Sequence, residues 1–121
     1  MKTAQDPRHI KRTEIMQELF AWDFHQEKKP LSQIEQILDN LPSIDAMIEK
    51  AAPAWPINKI NKIDLAIVRQ ATFELTHSSK IPVKVIIDEA VELAKAFGSD
   101  SSPGFVNGVL GKLIIDNNIT T

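Results

Sequence analysis

The segment from Val83 to Phe97 constrains this chain more than any other. Its apolar residues Val83, Ile86, Ile87, Ala90, Val91, Ala94 and Phe97 fall on one face of a 3.6-residue helix. Pro82 precedes the segment, and Gly98 follows it where a left-handed C-cap belongs. Val83-Lys84-Val85-Ile86-Ile87 alone would suit a strand, but the pattern runs on unbroken through Glu89-Ala90-Val91-Glu92-Leu93 and predicts helix. A helix with one apolar face must bury it against other elements, and the remaining segments supply them.

Asp6-Pro7 reads as an N-cap with proline at the first helical position, where its missing N–H does no harm. Ile15, Met16, Leu19 and Phe20 carry that helix to about His25, and Lys28-Lys29-Pro30 ends it. Ser32-Gln33-Ile34-Glu35 is a capping-box pattern, with Ile34, Ile37, Leu38 and Leu41 behind it and Pro42 as a stop or kink. A further helix spans Ser43 to Ala52, and Pro53-Ala54-Trp55-Pro56 is a turn. Ile60, Ile63, Ile67, Ala71 and Leu75 mark a long helix ending near His77. After Ser102-Pro103, a second cap-then-proline start, Phe105, Val106, Val109, Leu110 and Leu113 mark the last helix. Gly104 and Gly108 sit inside it, each costing about 1 kcal/mol, and close packing against another helix is the expected reason. The prediction is an all-α bundle forming one domain over residues 1–121, with an N-terminal arm at 1–7 and a C-terminal tail at 115–121.

With 121 residues there is room for one core. No cysteine is present, which excludes disulfides and thiolate chemistry and fits a reducing cytoplasm. No run approaches the roughly 20 apolar residues of a membrane-spanning helix, and the first residues do not read as a signal peptide. The net charge of −2 is uneven: residues 1–12 hold Lys2, Arg8, Lys11 and Arg12 against Asp6, a net of +3 that leaves −5 elsewhere. A basic end on an acidic body suggests two faces for two kinds of partner.

Catalytic constellations are thin. Glu74-Leu75-Thr76-His77 matches half of a di-iron pattern, but no second copy exists, so no metal site is expected. Asp88, Glu89 and Glu92 read as a solvated acidic face rather than an acid/base pair. Neither a phosphate-binding glycine loop nor a nucleophile elbow occurs, and the chain does not read as an enzyme. More informative are Arg8, Lys11 and Arg12, spaced i, i+3 and i+4 on the first turns of a helix, where the macrodipole disfavours cations by roughly 0.3–1 kcal/mol each. An anionic ligand such as RNA phosphate would offset that cost, and a chance basic start on an exposed terminus is the plain alternative.

The run Ile81-Pro82-Val83-Lys84-Val85, then Asp88-Glu89-Ala90-Val91-Glu92-Leu93-Ala94-Lys95-Ala96-Phe97-Gly98, then Phe105-Val106-Asn107-Gly108-Val109-Leu110-Gly111-Lys112-Leu113 closely resembles the NusB family of transcription antitermination factors. Ile63-Asp64-Leu65-Ala66-Ile67-Val68-Arg69 with Phe73-Glu74-Leu75, and Gln17-Glu18-Leu19-Phe20-Ala21-Trp22, fit the same family. The resemblance implies two small packed helical bundles, no catalysis and no cofactor. It further implies pairing with NusE, a ribosomal protein, to hold boxA-type single-stranded RNA and tether it to the transcription elongation complex during ribosomal RNA synthesis. The resemblance also leaves a homodimer of this chain open, because some relatives bury their RNA face by self-association.

By position, the resemblance makes Arg8 and Arg12 RNA-contacting residues, with Lys11 on the same basic stripe and His9 at another such position. Phe20 and Phe105 stand where aromatics border the RNA, although either also suits core packing, and Asp64 matches an acid used against NusE. Between Trp22 and Asn40 the chain is short by roughly one helix, and Pro103-Gly104 replaces a His-Lys pair beside the RNA. Weaker intrinsic RNA affinity follows. Two other readings stay open: a helical protein-binding adaptor with a decayed RNA surface, and the accessory domain of a ribosomal RNA methyltransferase, which the chain's length opposes.

Overall fold

A computed structural model of the protein describes residues 6–26 and 32–121. The helices are α1 (Pro7–Phe24), α2 (Ser32–Asp39), α3 (Leu41–Ala51), α4 (Lys62–His77), α5 (Val83–Phe97) and α6 (Ser102–Asp116), with a 3-10 turn at Ile57–Lys59 before α4. The all-α reading holds. The Ser32 side-chain cap and the Lys28-Lys29-Pro30 stop lie outside the described residues, as does Lys2. The stop expected at Pro42 falls just before it: α2 ends at Asp39, and Pro42 stands in the first turn of the next helix, α3. Part of the window where the sequence is short is occupied by α2.

Sequence punctuation explains most helix ends. Asp6 accepts a hydrogen bond from the Arg8 N–H at 2.9 Å, and Asn61 caps α4 through the N–H groups of Ile63 and Asp64. The central element is α4, which touches each of the other five helices. Every residue from Asp64 to Thr72 is buried, so this helix has no solvent face along its middle. Around it close Met16 and Leu19 of α1, Ile44 and Ile48 of α3, Ile86 and Leu93 of α5, and Val106, Leu110 and Leu113 of α6.

Two expectations fail at glycines. Gly98 ends α5 in an extended conformation (φ −94°, ψ −166°), not a left-handed one. Its small size is needed for another reason: a Cβ there would stand 2.4 Å from the buried Ser102 Oγ, which accepts a hydrogen bond from the Ser99 N–H. Gly104 and Gly108 do not mediate close helix packing. Both are exposed, and an added Cβ would meet nothing within 4 Å, because α6 packs through its opposite face. Gly108→Ala is therefore expected to raise the unfolding free energy by about 0.5–1 kcal/mol in urea denaturation. A loss of stability would mean that Gly108 does face packed structure.

Candidate nucleic-acid interface

The head of α1 divides its basic residues by depth. Arg8 projects outward with its side chain 84% exposed and reaches back to Asp6 at 3.3 Å. The hydrogen bonds from Arg8, first from its side chain and then from its backbone, lower the Asp6 carboxyl below its ordinary value. Lys11 is also exposed and donates to the neutral Gln33 Oε1 of α2, while Gln33 in turn donates to Glu18. Burial raises the Glu18 carboxyl above its usual range despite nearby Lys11, and Glu14 adds to the rise.

Arg12 and His9 turn inward. Arg12 is 10% exposed at its side chain and grips Glu74 of α4, with Nη2 donating to Oε1 at 2.8 Å and Nε to Oε2 at 3.1 Å. Its Nη1 lies 3.8 Å from Glu89 of α5, and His9 Nδ1 lies 3.1 Å from the same carboxylate. Glu89 is 1% exposed. The acidic cluster expected on the solvated face of α5 is thus split: Asp88 and Glu92 are exposed, whereas Glu89 belongs to the core. The signal was present, since Glu89 shares the helical face of Ile86, Ala90 and Leu93. Glu74 is committed to Arg12, and His77 stacks on Phe73 with ring centroids 4.5 Å apart, which accounts for both without a metal.

Arg8, Lys11 and Arg12 together line one wall of a groove of about 880 Å³ between α1, α2 and α4. Ile15, Ile37 and Phe73 give it apolar surface, and Glu35, Asp39 and Glu74 place acids across from the cations.

At the other end of α1, Asp23 meets Lys62 at 2.8 Å and Arg69 at 3.7 Å, and Arg69 makes paired 2.9 Å hydrogen bonds to Asp45 of α3. The pairs Arg12–Glu74 and Asp23–Lys62 fix α1 antiparallel to α4. Phe20 is half-buried and meets Phe24 edge-on at 5.0 Å. Phe105, also half-buried, meets Trp55 edge-on at 6.1 Å. Asp64 lies in the first turn of α4 with 7% exposure, and its Oδ1 has no hydrogen-bond partner among the described residues.

Residues 31–114 match the family model described as the NusB family. The chain belongs to the NusB family. The matched span takes in α2 to α5 and nearly all of α6. Among curated relatives, the transcription antitermination protein NusB of Lachnoclostridium phytofermentans is 42% identical over 104 residues, covering 81% of this chain and 79% of the relative. The NusB of Agathobacter rectalis is 35% identical over 123 residues, covering 84% and 94%. The solved NusB of T. maritima superposes with a TM-score of 0.82 at 29% identity, covering 96% of this chain and 94% of that one. A chain in the crystal structure of a plectonemic RNA supercoil shares the fold at a TM-score of 0.80 and 18% identity. The curated relatives are transcription antitermination proteins, and the family is not one of enzymes.

Asp23 gives a test of the α1–α4 junction. Burial pushes its carboxyl upward, but the hydrogen bond from Lys62, the charge of Arg69 and further help from Lys62 and Gln26 outweigh it and hold the group below its ordinary 3.8. A depressed carboxyl stabilises the fold above the unfolded-state value, and that contribution is lost as pH falls through the folded-state value. Asp23→Asn should therefore lower Tm at neutral pH, and the gap from the parent protein should narrow on acidification. A gap independent of pH would remove the ionic account.

Proposed function

We propose that this NusB-family protein is a cytoplasmic antitermination factor that binds boxA-type single-stranded RNA together with NusE. The complex tethers nascent ribosomal RNA to the elongation machinery. The observation that carries the reading is the head of α1, where Arg8 and Lys11 stand exposed and, among the described residues, meet the half-buried Asp6 and the neutral Gln33 amide. An exposed pair such as Arg8–Asp6 contributes little to folding, so a phosphate can replace the acid at small cost. Arg8 and Lys11 contact phosphates directly. Arg12 and His9, held by Glu74 and Glu89, shape the inner edge of that surface. Phe20 and Phe105 border the bases, and Asp64 serves the NusE side. No helix among the described residues is long and apolar enough to cross a membrane, in keeping with this setting.

The adaptor reading has one observation in its favour: two of the four N-terminal RNA-contact candidates are engaged inside the protein. Fluorescence anisotropy of a labelled boxA-type RNA, with and without NusE across a salt series, separates the two readings. Antitermination requires tighter binding with NusE and affinity that falls with salt. Arg8→Ala combined with Lys11→Ala should flatten the log–log slope by about 1.4, at ~0.7 per single-strand phosphate. Absence of RNA binding even with NusE would leave the adaptor.

The acid proposed for NusE is tested by Asp64→Asn, which keeps shape and removes charge. NusE pairing should weaken by at least tenfold in calorimetry while the fold persists by circular dichroism. Unchanged pairing would move the partner surface elsewhere.

A further inference from the structure

Phe24 and Trp55, unlike Phe73 in the groove beside Arg12, lie toward the N-terminal end of α4. Because α1 and α4 are antiparallel, the C-terminal turns of α1 stand beside the N-terminus of α4, as the Asp23–Lys62 pair records. Lys62 also lies 6.0 Å from the centroid of the Phe24 ring. The turn leading into the 3-10 segment and α4 carries Trp55, whose ring meets Phe105 in the first turn of α6 at 6.1 Å and 83°. Phe24 and Trp55, at 55% and 51% exposure, are both among the exposed large hydrophobic residues of the protein.

We propose that Trp55 is a base-stacking residue that extends the RNA surface beyond Phe105, an inference that rests on the RNA-binding reading above. The Trp55–Phe105 contact is nearly perpendicular, so the indole keeps open surface while its position is fixed by the neighbouring ring. Pro53 and Pro56 stand two residues before it and one after it, and the Trp55 backbone N–H donates to the Ala52 carbonyl at 3.0 Å, so the turn is restrained before any ligand arrives. A restrained, half-exposed indole loses little conformational freedom when a base stacks on it.

Charge selects the occupant. From Pro53 to Lys62 the chain carries Lys59 and Lys62 and no acid. Asp23, the nearest acid to Lys62, is buried and shared with Arg69. Aromatic faces beside cations suit unstacked bases on a phosphate chain, the combination used for single strands. An aliphatic helix from a protein partner would make no use of the lysines.

The two tryptophans and the absence of tyrosine make the test direct. In a Trp22→Phe background, Trp55 becomes the sole indole, and its emission is followed while a boxA-type oligoribonucleotide is added in the presence of NusE. Anisotropy of the labelled RNA reports binding independently. Quenching of Trp55 is expected, with about 5- to 150-fold weaker RNA binding for Trp55→Ala and most affinity kept by Trp55→Phe. The phenylalanine variant guards against a folding defect at the turn. RNA binding by anisotropy with unmoved Trp55 emission, or with undiminished affinity in Trp55→Ala, would overturn the assignment and leave the antitermination reading standing. A Trp55 response to NusE alone, lost together with NusE affinity in Trp55→Ala, would make the patch a protein surface and also overturn it. No RNA binding by the parent protein with NusE would overturn both.

Discussion

Burying α4 along its middle makes Arg69, Gln70 and Glu74 draw on partners inside the protein, and those partners come from α1 and α3. Arg69 is held by Asp45 and Asp23, the Gln70 amide donates to the Arg12 carbonyl, and Glu74 takes the Arg12 guanidinium. An unpaired charge at such depth would cost several kcal/mol, so these contacts set how α1 and α3 lie against the centre. The apolar residues supply most of the driving force. They do not by themselves choose an orientation. The ion pairs at the two ends of α1 do, because reversing the helix would set Arg12 near Lys62 and Asp23 near Glu74.

The same pairing decides which charges remain for a ligand. A basic stretch at the head of a helix looks uniform in sequence, but neighbours one turn apart take different depths. Arg12 and His9 meet acids from α4 and α5, whereas Arg8 and Lys11 remain at the surface. The α1 helix therefore joins core and binding surface in one element, and replacing Arg12 would disturb both.

Much of this architecture was legible in the residues. The helical period and the flanking Pro82 and Gly98 give α5 its observed bounds, and Asp6-Pro7 gives the start of α1. Prolines and small polar residues carry local conformational rules, so helix ends were readable without knowing any neighbour. What failed depended on neighbours. Gly98 is required by the Ser102 hydroxyl four residues later, and Gly104 and Gly108 face solvent because α6 turns its other side inward. The charge of Glu89 points to solvent, whereas its place on the apolar face of α5 puts it in the core. The family resemblance supplied candidate RNA contacts by position, but only the packing shows that Arg12 and Asp64 are buried among them.

The antiparallel seating of α1 on α4 also bears on how the chain acquires its shape. Helices α4, α5 and α6 are consecutive and pack as neighbours, closing short loops, whereas Arg12 meets Glu74 across 62 residues. Loop closure costs more entropy as separation grows, and local contacts form sooner. During synthesis α1 leaves the ribosome first, yet the acids that receive its arginine and histidine follow much later in the chain. The three C-terminal helices thus form the natural first unit, with α1 docking onto a surface already built. The basic end of the molecule is the last to gain a fixed shape.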